Sequence, residues 1–184
     1  MGKQILISDK SNLIRYRQTI HNNLQKSLES IKSVLNSDDS TYVFECFKYD
    51  KIAVDPLTSN PENLIEMVNQ YQTYLVTLKA LEFLFEKYPN KSFFARFGNI
   101  SGYDIESTDG KIVAECFAQV NFKNNNKLDK DLERLNSMPC GTICYEFFYD
   151  RFFNANHHIA YKTKYPKINI IKFDTLKSSI KSEE

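Results

Sequence analysis

Two acidic residues occupy positions where the sequence otherwise favours apolar strands. Asp104 opens the segment "DIES", and Glu115 interrupts the apolar run "IVAECFAQV". The Asp109–Gly110 pair between them favours a tight reversal, which brings Asp104 and Glu115 to the same level of two antiparallel strands. Side chains that face each other across such a pair lie roughly 4.5–5.5 Å apart. Carboxylates this close repel each other unless a cation or a proton lies between them, and oxygen ligands of this kind suit Mg²⁺ or Mn²⁺.

The strand that carries Glu115 has two chemically different faces. Because side chains alternate along a strand, Glu115 shares its face with Phe117 and Gln119. The opposite face is small and apolar, and it consists of Ala114, Cys116, Ala118 and Val120. A face of that kind suits a packed helix, so the sequence predicts a helix on one side of the sheet and polar chemistry on the other.

Two segments, Ser11–Leu35 and Pro61–Lys87, have the apolar spacing of amphipathic helices. In the second segment, Glu82 falls where the apolar stripe predicts an apolar residue, and Glu86 lies one turn further on. Burying an unpaired charge costs several kcal/mol, so a carboxylate at this position is unusual. Either Glu82 has a function, or the last turn of the helix simply reaches solvent there.

The remaining segments alternate between strands and one further helix. Strands are predicted in "YVFECFKYDKIAV", "FFARFGNISGYDIES", "GKIVAECFAQVNF", "TICYEFFYDRFF", "IAYKTKY" and "KINIIKF", and a helix in "NNNKLDKDLERL". This order is typical of a mixed α/β fold, and we predict a single domain over residues 1–184. Within it we expect an N-terminal helix and strand extension at 1–58, a core at 60–150 and a frayed tail at 177–184.

The composition argues against several classes of protein. The chain has 24 Lys and Arg against 23 Asp and Glu, which argues against a bulk polyelectrolyte binder and leaves room for a local basic groove. No segment has the length and apolarity of a membrane span, and the N-terminal segment lacks the apolar core of a signal peptide. We therefore expect a cytoplasmic protein that does not bind membranes, with reduced, packed cysteines.

The order and spacing of these residues resemble the PD-(D/E)XK nuclease superfamily, which has the restriction-endonuclease-like fold. The resemblance covers roughly residues 60–150 and makes the first sixty residues an added element. It implies a core of one helix, a three-stranded antiparallel meander, a second helix and a further strand, all in a mixed sheet flanked by helices. It also implies that Asp104 and Glu115 bind Mg²⁺ or Mn²⁺, together with an acid from the first core helix, Glu82 or else Glu86.

The sequence departs from the motif of this superfamily at one position. Phe117 stands where the motif has the lysine that orients or activates the attacking water. Lys127 is the best substitute, because a long side chain from the following helix can reach back over the sheet. Lys123 and Lys130 are alternatives, and Gln119 is placed to form a hydrogen bond with a ligand water.

Lysines near asparagines and tyrosines indicate contacts with nucleic acid. The candidates are Lys123, Lys130, Lys162 and Lys164, although lysines also protect ordinary edge strands from pairing.

The first functional hypothesis is a metal-dependent DNA endonuclease, of a restriction or defence kind. The second is a catalytically inactive protein of the same fold that binds nucleic acid or a protein partner. In the third, Asp104 and Glu115 are structural and pair with Arg96 or Lys111. Whether the protein forms a homodimer stays open.

Overall fold

The computed structural model describes residues 2–121, 123, 126–150 and 152–177. Its packing divides the chain into two compact units, one comprising Ile14–Tyr74 and the other comprising Met1–Leu13 together with Leu75–Glu184. The described helices are α1 Lys10–Leu35, α2 Ser40–Tyr49, α3 Leu64–Lys87, α4 Lys127–Asn136 and α5 Ala155–Lys164. The described strands are β1 Lys3–Ile7, β2 Ala53–Val54, β3 Pro61–Glu62, β4 Phe93–Phe97, β5 Ile105–Ser107, β6 Ile112–Ala118, β7 Ile143–Tyr149 and β8 Ile168–Phe173.

The larger unit is built on a six-stranded mixed sheet with the order β1-β4-β5-β6-β7-β8. Pairing is antiparallel from β1 through β6 and parallel from β6 through β8. Helices α4 and α5 connect the parallel strands, as parallel neighbours require a crossover connection. The prediction of a mixed α/β fold is therefore confirmed.

Both faces of the central strands are covered. On one face, the Phe83 ring of α3 contacts Tyr145 and Phe147 with ring centroids 6.0 and 5.5 Å apart. On the other face, three leucines of α4 pack against side chains of β6, β7 and β8 in a continuous apolar cluster. The cluster contains Val113, Phe117, Leu128, Leu132, Leu135, Cys144, Phe148, Phe153, Tyr165, Ile168 and Ile170. Strands covered on both sides lose the simple alternation of polar and apolar residues, which explains the near-continuous apolar sequence of β6 and β7.

The tight reversal predicted at Asp109–Gly110 is confirmed. Gly110 has a φ of +68°, which glycine adopts without strain, and its N–H donates to the Ser107 carbonyl at 2.8 Å. The Asp109 carboxylate forms an ion pair with Lys91 and accepts the Ser107 hydroxyl at 2.7 Å. These contacts fix the register of β5 against β6, in which Ile105 faces Ala114.

The unit Ile14–Tyr74 has a separate set of polar contacts around a buried turn. Asp55 is buried, and its carboxylate accepts the backbone N–H groups of Leu57 and Thr58 at 2.8 and 2.6 Å. The Tyr74 hydroxyl donates to the same carboxylate at 3.2 Å. Asn23 of α1 donates to the Pro56 carbonyl at 3.0 Å. The turn between β2 and β3 is thus held by hydrogen bonds to buried side chains.

Two predicted strands are helices, so those predictions were wrong. The segment around "YVFECFKY" forms α2, because the Asp39 side chain caps it by accepting the Tyr42 N–H at 3.1 Å and because Val43 and Cys46 give it a buried helical face. The segment "IAYKTKY" lies in α5, which the Asn154 side chain caps at the His157 N–H. Caps and tertiary packing outweigh the strand preference of aromatic and β-branched residues.

Other boundaries differ from the predictions by smaller amounts. The long helix begins at Leu64 rather than at Pro61, since Pro61 and Glu62 pair with β2 as β3. Strand β1, for which no element was predicted, pairs with β4 at the edge of the sheet. The tail at 177–184 lies outside the described residues beyond Lys177. In the part of the chain that the structure describes, no helix combines the length and the apolar character needed to span a bilayer.

Candidate functional site

Asp104 and Glu115 face each other on the same side of the sheet. Asp104 immediately precedes β5 and Glu115 lies in β6, so the register that pairs Ile105 with Ala114 brings them opposite each other when it is extended by one residue. Asp104 Oδ2 accepts the Cys116 backbone N–H at 2.8 Å, and the negative charge of Asp104 acts to raise the pKa of Glu115. Two neighbouring carboxyl groups repel each other when both are ionised, so the pair favours a bound proton or a cation between them.

Two further acids approach the same pair. Glu146 of β7 is the register partner of Glu115 in the parallel pair, so both side chains point to the same face. Glu146 is 0% exposed, and neither of its carboxylate oxygens has a hydrogen-bond partner among the described residues. Asp131 of α4 is 6% exposed and lies above them. We refer to Asp104, Glu115, Asp131 and Glu146 as the acid cluster.

Helix α4 supplies two cations to the acid cluster. Lys127 Nζ donates to Asp131 Oδ1 at 2.8 Å, and Arg134 Nη1 donates to Glu115 Oε1 at 2.5 Å. The spacing of Lys127, Asp131 and Arg134 places all three on the side of α4 that faces the sheet, one or two helical turns apart. Four acids therefore share two cations in a region of low solvent exposure.

Burial dominates the electrostatics of the cluster. It raises the pKa of Glu115 to about 8, and the negative charges of Asp104 and Asp131 add to this rise. Burial likewise raises the pKa of Asp104, of Asp131 and, most strongly, of Glu146. Burial acts to lower the pKa of Lys127, but Asp131, Asp104 and Glu115 outweigh it and the pKa is raised. Lys127 is thus a protonated cation at neutral pH.

The chemistry of the Asp104–Glu115 pair fits a hard divalent cation. Among the described residues, no group of three or more His, Cys, Asp and Glu side chains is arranged to hold a metal ion. Magnesium sites, however, commonly use one or two carboxylates and complete their coordination with water and substrate phosphate. If all four acids were ionised, the two cations would neutralise only two of their negative charges. Bound protons or one dication would neutralise the other two.

Gln119 lies immediately after β6, four residues beyond Glu115. Its backbone N–H donates to the Tyr149 carbonyl at 3.2 Å, which extends the β6–β7 pairing by one residue. Its side-chain oxygen is buried and has no hydrogen-bond partner among the described residues. Gln119 is therefore placed to accept a hydrogen bond from a ligand or a water.

The helix acids predicted from the sequence lie elsewhere. Glu82 belongs to α3, which covers the opposite face of the sheet, and it pairs with Lys79 at 3.1 Å. Glu86 is exposed and pairs with Lys10 at 3.7 Å. The structure thus brings Asp104, Glu115 and Lys127 together and places Glu82 and Glu86 apart from them.

Glu146, Asp131 and Arg134 were missed in the sequence. A signal for Glu146 was present, because it interrupts the apolar strand "CYEFFY" just as Glu115 interrupts "VAECFA". Asp131 and Arg134 follow Lys127 at helical spacings of four and seven residues, which places them on the face of α4 that carries the predicted lysine. Arg96, one predicted partner of the acids, instead donates to Glu106 at 2.9 Å.

The predicted nucleic-acid-binding lysines lie in several surroundings. Lys130 of α4 and Lys162 of α5 are exposed. Lys164 forms an ion pair with Asp129 at 3.6 Å, which connects α5 to α4. The backbone N–H of Lys123 donates to the Asn121 side chain at 3.0 Å in the segment before α4. These lysines are associated with the two helices that follow β6 and β7.

Comparison with protein-family models, with curated proteins and with solved structures finds no match to this chain. The functional argument therefore depends on the geometry and charge of the site.

Proposed function

We propose that this protein is a metal-dependent nuclease that hydrolyses phosphodiester bonds in DNA. The observation that carries the proposal is that Asp104 faces Glu115 across adjacent strands, while Lys127 of α4 donates to Asp131 of the same acid cluster. The charges of Asp131, Asp104 and Glu115 all act to raise the pKa of Lys127. Two carboxylates and a lysine in this relation are the groups that metal-assisted phosphodiester hydrolysis needs.

The order of elements supports a restriction-endonuclease-like core. Helix α3 precedes three antiparallel strands, β4, β5 and β6, and helix α4 then leads to β7, which is parallel to β6. This is the sequence of elements that the PD-(D/E)XK resemblance implies. In this interpretation β1, β8 and the unit Ile14–Tyr74 are additions to the core.

Each residue of the site has a role in this reaction. Asp104 and Glu115 would hold Mg²⁺ or Mn²⁺, which when bound polarises the scissile phosphate and lowers the pKa of a coordinated water. Lys127 keeps its proton, so it donates to the attacking water or to a phosphate oxygen and stabilises the negative charge that develops there. Gln119, four residues further along the chain than Glu115, has a buried side-chain oxygen without a hydrogen-bond partner among the described residues, and this oxygen would accept a hydrogen bond from a ligand water.

The charge of the acid cluster supports the same proposal. Without a metal ion, the buried acids retain protons, as the raised pKa of Glu115 indicates. A dication supplies the two positive charges that the cluster lacks and replaces those protons. Metal binding is therefore expected to release protons and to become stronger as the pH rises.

A cleavage assay with matched variants tests the proposal. We expect Mg²⁺- or Mn²⁺-dependent cleavage of plasmid DNA by the full chain, and a decrease of about a hundredfold or more in Asp104→Asn, Glu115→Gln and Lys127→Met. Glu133→Gln removes an exposed acid from the same helix and serves as the control, with unchanged cleavage. Calorimetric titration with Mn²⁺ should show binding that is weakened in Asp104→Asn and Glu115→Gln.

A second candidate function is DNA binding without cleavage. Phe117, which stands at the position of the motif lysine, is 3% exposed and stacks on Phe148 with ring centroids 5.2 Å apart. This contact makes Phe117 part of the apolar cluster, so no cation is available from that position. DNA binding without cleavage at any Mg²⁺ or Mn²⁺ concentration would favour this candidate, whereas absence of both activities would indicate that the acids are structural.

A further inference from the structure

Arg134 forms an ion pair with Glu115 of the acid cluster, and Arg134 is the partner that faces solvent. Its side chain is 44% exposed, whereas that of Glu115, to which Nη1 donates at 2.5 Å, is 2% exposed. A guanidinium group carries five N–H donors in a planar fork. The contact through Nη1 therefore leaves donors for a second acceptor on the exposed side.

Tyr103 holds the guanidinium in place. The Arg134 guanidinium carbon lies 4.2 Å from the centroid of the Tyr103 ring, which is a cation–π contact. The Tyr103 hydroxyl donates to Met138 Sδ at 2.8 Å, and its carbonyl accepts Arg96 Nη1 at 2.8 Å. Because the hydroxyl and the backbone carbonyl of Tyr103 are both held, the ring gives Arg134 a fixed contact while the guanidinium exchanges its acceptor.

The two cations of the site differ in what they are bound to. Lys127 pairs with Asp131 four residues along the same helix. Arg134 instead pairs with Glu115, one of the two carboxylates that we assign to the metal. A dication and the guanidinium therefore compete for the same carboxylate.

We propose that Arg134 binds the scissile phosphate of the substrate and is held on Glu115 until a divalent cation takes its place there. This inference rests on the proposed nuclease function and adds a phosphate-binding residue and an order of events to it. When the cation binds Glu115, it displaces Arg134 Nη1 from Glu115 Oε1, and the guanidinium turns its fork to the phosphate oxygens. Arginine is suited to this exchange, since its planar donors match carboxylate and phosphate equally well.

Arg134→Gln separates this role from a purely structural one, because two readouts should move in opposite directions. Without the competing guanidinium, Mn²⁺ added alone should bind more tightly in calorimetric titration. Cleavage of duplex DNA at saturating Mg²⁺ should nevertheless decrease by at least about tenfold in kcat/KM, because the phosphate loses a charged donor. A merely structural arginine would weaken metal binding and cleavage together.

Arg134→Lys and Lys111→Gln are the controls. Arg134→Lys keeps the charge without the fork, so its Mn²⁺ affinity should stay near that of the wild type while its kcat/KM is only partly restored. Lys111→Gln removes an exposed cation immediately before β6 and should change neither quantity. If Arg134→Gln fails to fold in a thermal unfolding scan, Arg134→Lys decides the question.

The outcomes distinguish this inference from the proposed function. An unchanged kcat/KM in Arg134→Gln, or Mn²⁺ binding that is not tightened, would overturn the role of Arg134 while wild-type cleavage still supports the nuclease. Absence of metal-dependent cleavage and of Mn²⁺ binding in the wild type would overturn both.

Discussion

The face of the sheet that α3 covers and the face that α4 covers are formed by alternate residues of the same strands. On β7, Tyr145 and Phe147 point towards α3 and pack against Phe83, while Glu146 between them points towards α4. The α3 face buries aromatic surface, which stabilises the fold. The α4 face buries ionisable groups beside its apolar cluster, and these groups destabilise the fold unless they are paired or neutralised. The apolar packing on both faces therefore has to offset the cost of burying the acid cluster.

Phe147→Ala should have the largest effect on stability. Phe147 is 0% exposed and contacts the rings of Phe83, Tyr145 and Phe173. The lost contacts and the resulting cavity should lower the free energy of unfolding by about 3–5 kcal/mol, measured by chemical denaturation. Phe152→Ala, at a position that is 59% exposed, is the matched control and should have little effect. Equal losses in both variants would show that burial of the Phe147 ring against α3 is not the cause of the effect.

The charged face should make stability fall as the pH rises. Folded Glu115 keeps its proton up to a pKa of about 8, whereas the ordinary value is 4.5. Between these values the folded state binds more protons than the unfolded state, so the free energy of unfolding decreases with increasing pH. The contribution of Glu115 to the free energy of unfolding is fully present below about pH 4.5 and is lost above about pH 8. Denaturation without divalent cations at several pH values measures this slope.

Glu115→Gln should reduce the slope, since its amide does not titrate. Mg²⁺ added at pH 8 should restore stability to the wild type and not to this variant, because the dication replaces the lost protons. A slope of the opposite sign, or one that Glu115→Gln leaves unchanged, would contradict the assignment of burial as the cause.

Glu146→Met should raise the free energy of unfolding, whereas Phe147→Ala lowers it, although the two residues are neighbours in β7. The change should also be smaller than that of Phe147→Ala. Replacing a buried carboxyl without hydrogen-bond partners by an apolar side chain of similar length removes its desolvation penalty. We expect a gain of about 1–3 kcal/mol in the free energy of unfolding, measured without divalent cations. Glu133→Met, an exposed acid on α4, should not produce the gain. A loss of stability in Glu146→Met would mean that the carboxyl is satisfied within the cluster.

The sequence was sufficient to predict the parts of the site that depend on local geometry. The Asp109–Gly110 turn connects β5 and β6 directly, so its type determines that Asp104 faces Glu115. Lys127 was expected to reach back over the sheet because it opens the helix after β6, and the structure places it beside Asp131 within the cluster. Both inferences use contacts between segments close together in the chain.

The parts that could not be predicted depend on pairing over longer distances. The alignment of Glu146 with Glu115 is set by a parallel pairing across α4, and no turn residue indicates its register. Similarly, α5 was interpreted as a strand because "IAYKTKY" has the composition of one. Its helical state follows from the Asn154 cap and from the crossover that parallel β7 and β8 require.

The pairing of β1 with β4 has a consequence for synthesis on the ribosome. Lys3 pairs with Phe97 at one end of this strand pair and Ile7 with Phe93 at the other, and the unit Ile14–Tyr74 lies between the two strands in the chain. Translation proceeds at ~5–20 residues per second, so β4 is synthesised several seconds after β1. The residues of the intervening unit emerge first and can complete their own packing during that interval. The sheet that carries the acid cluster therefore acquires its outer strand only after the inserted unit has had time to fold.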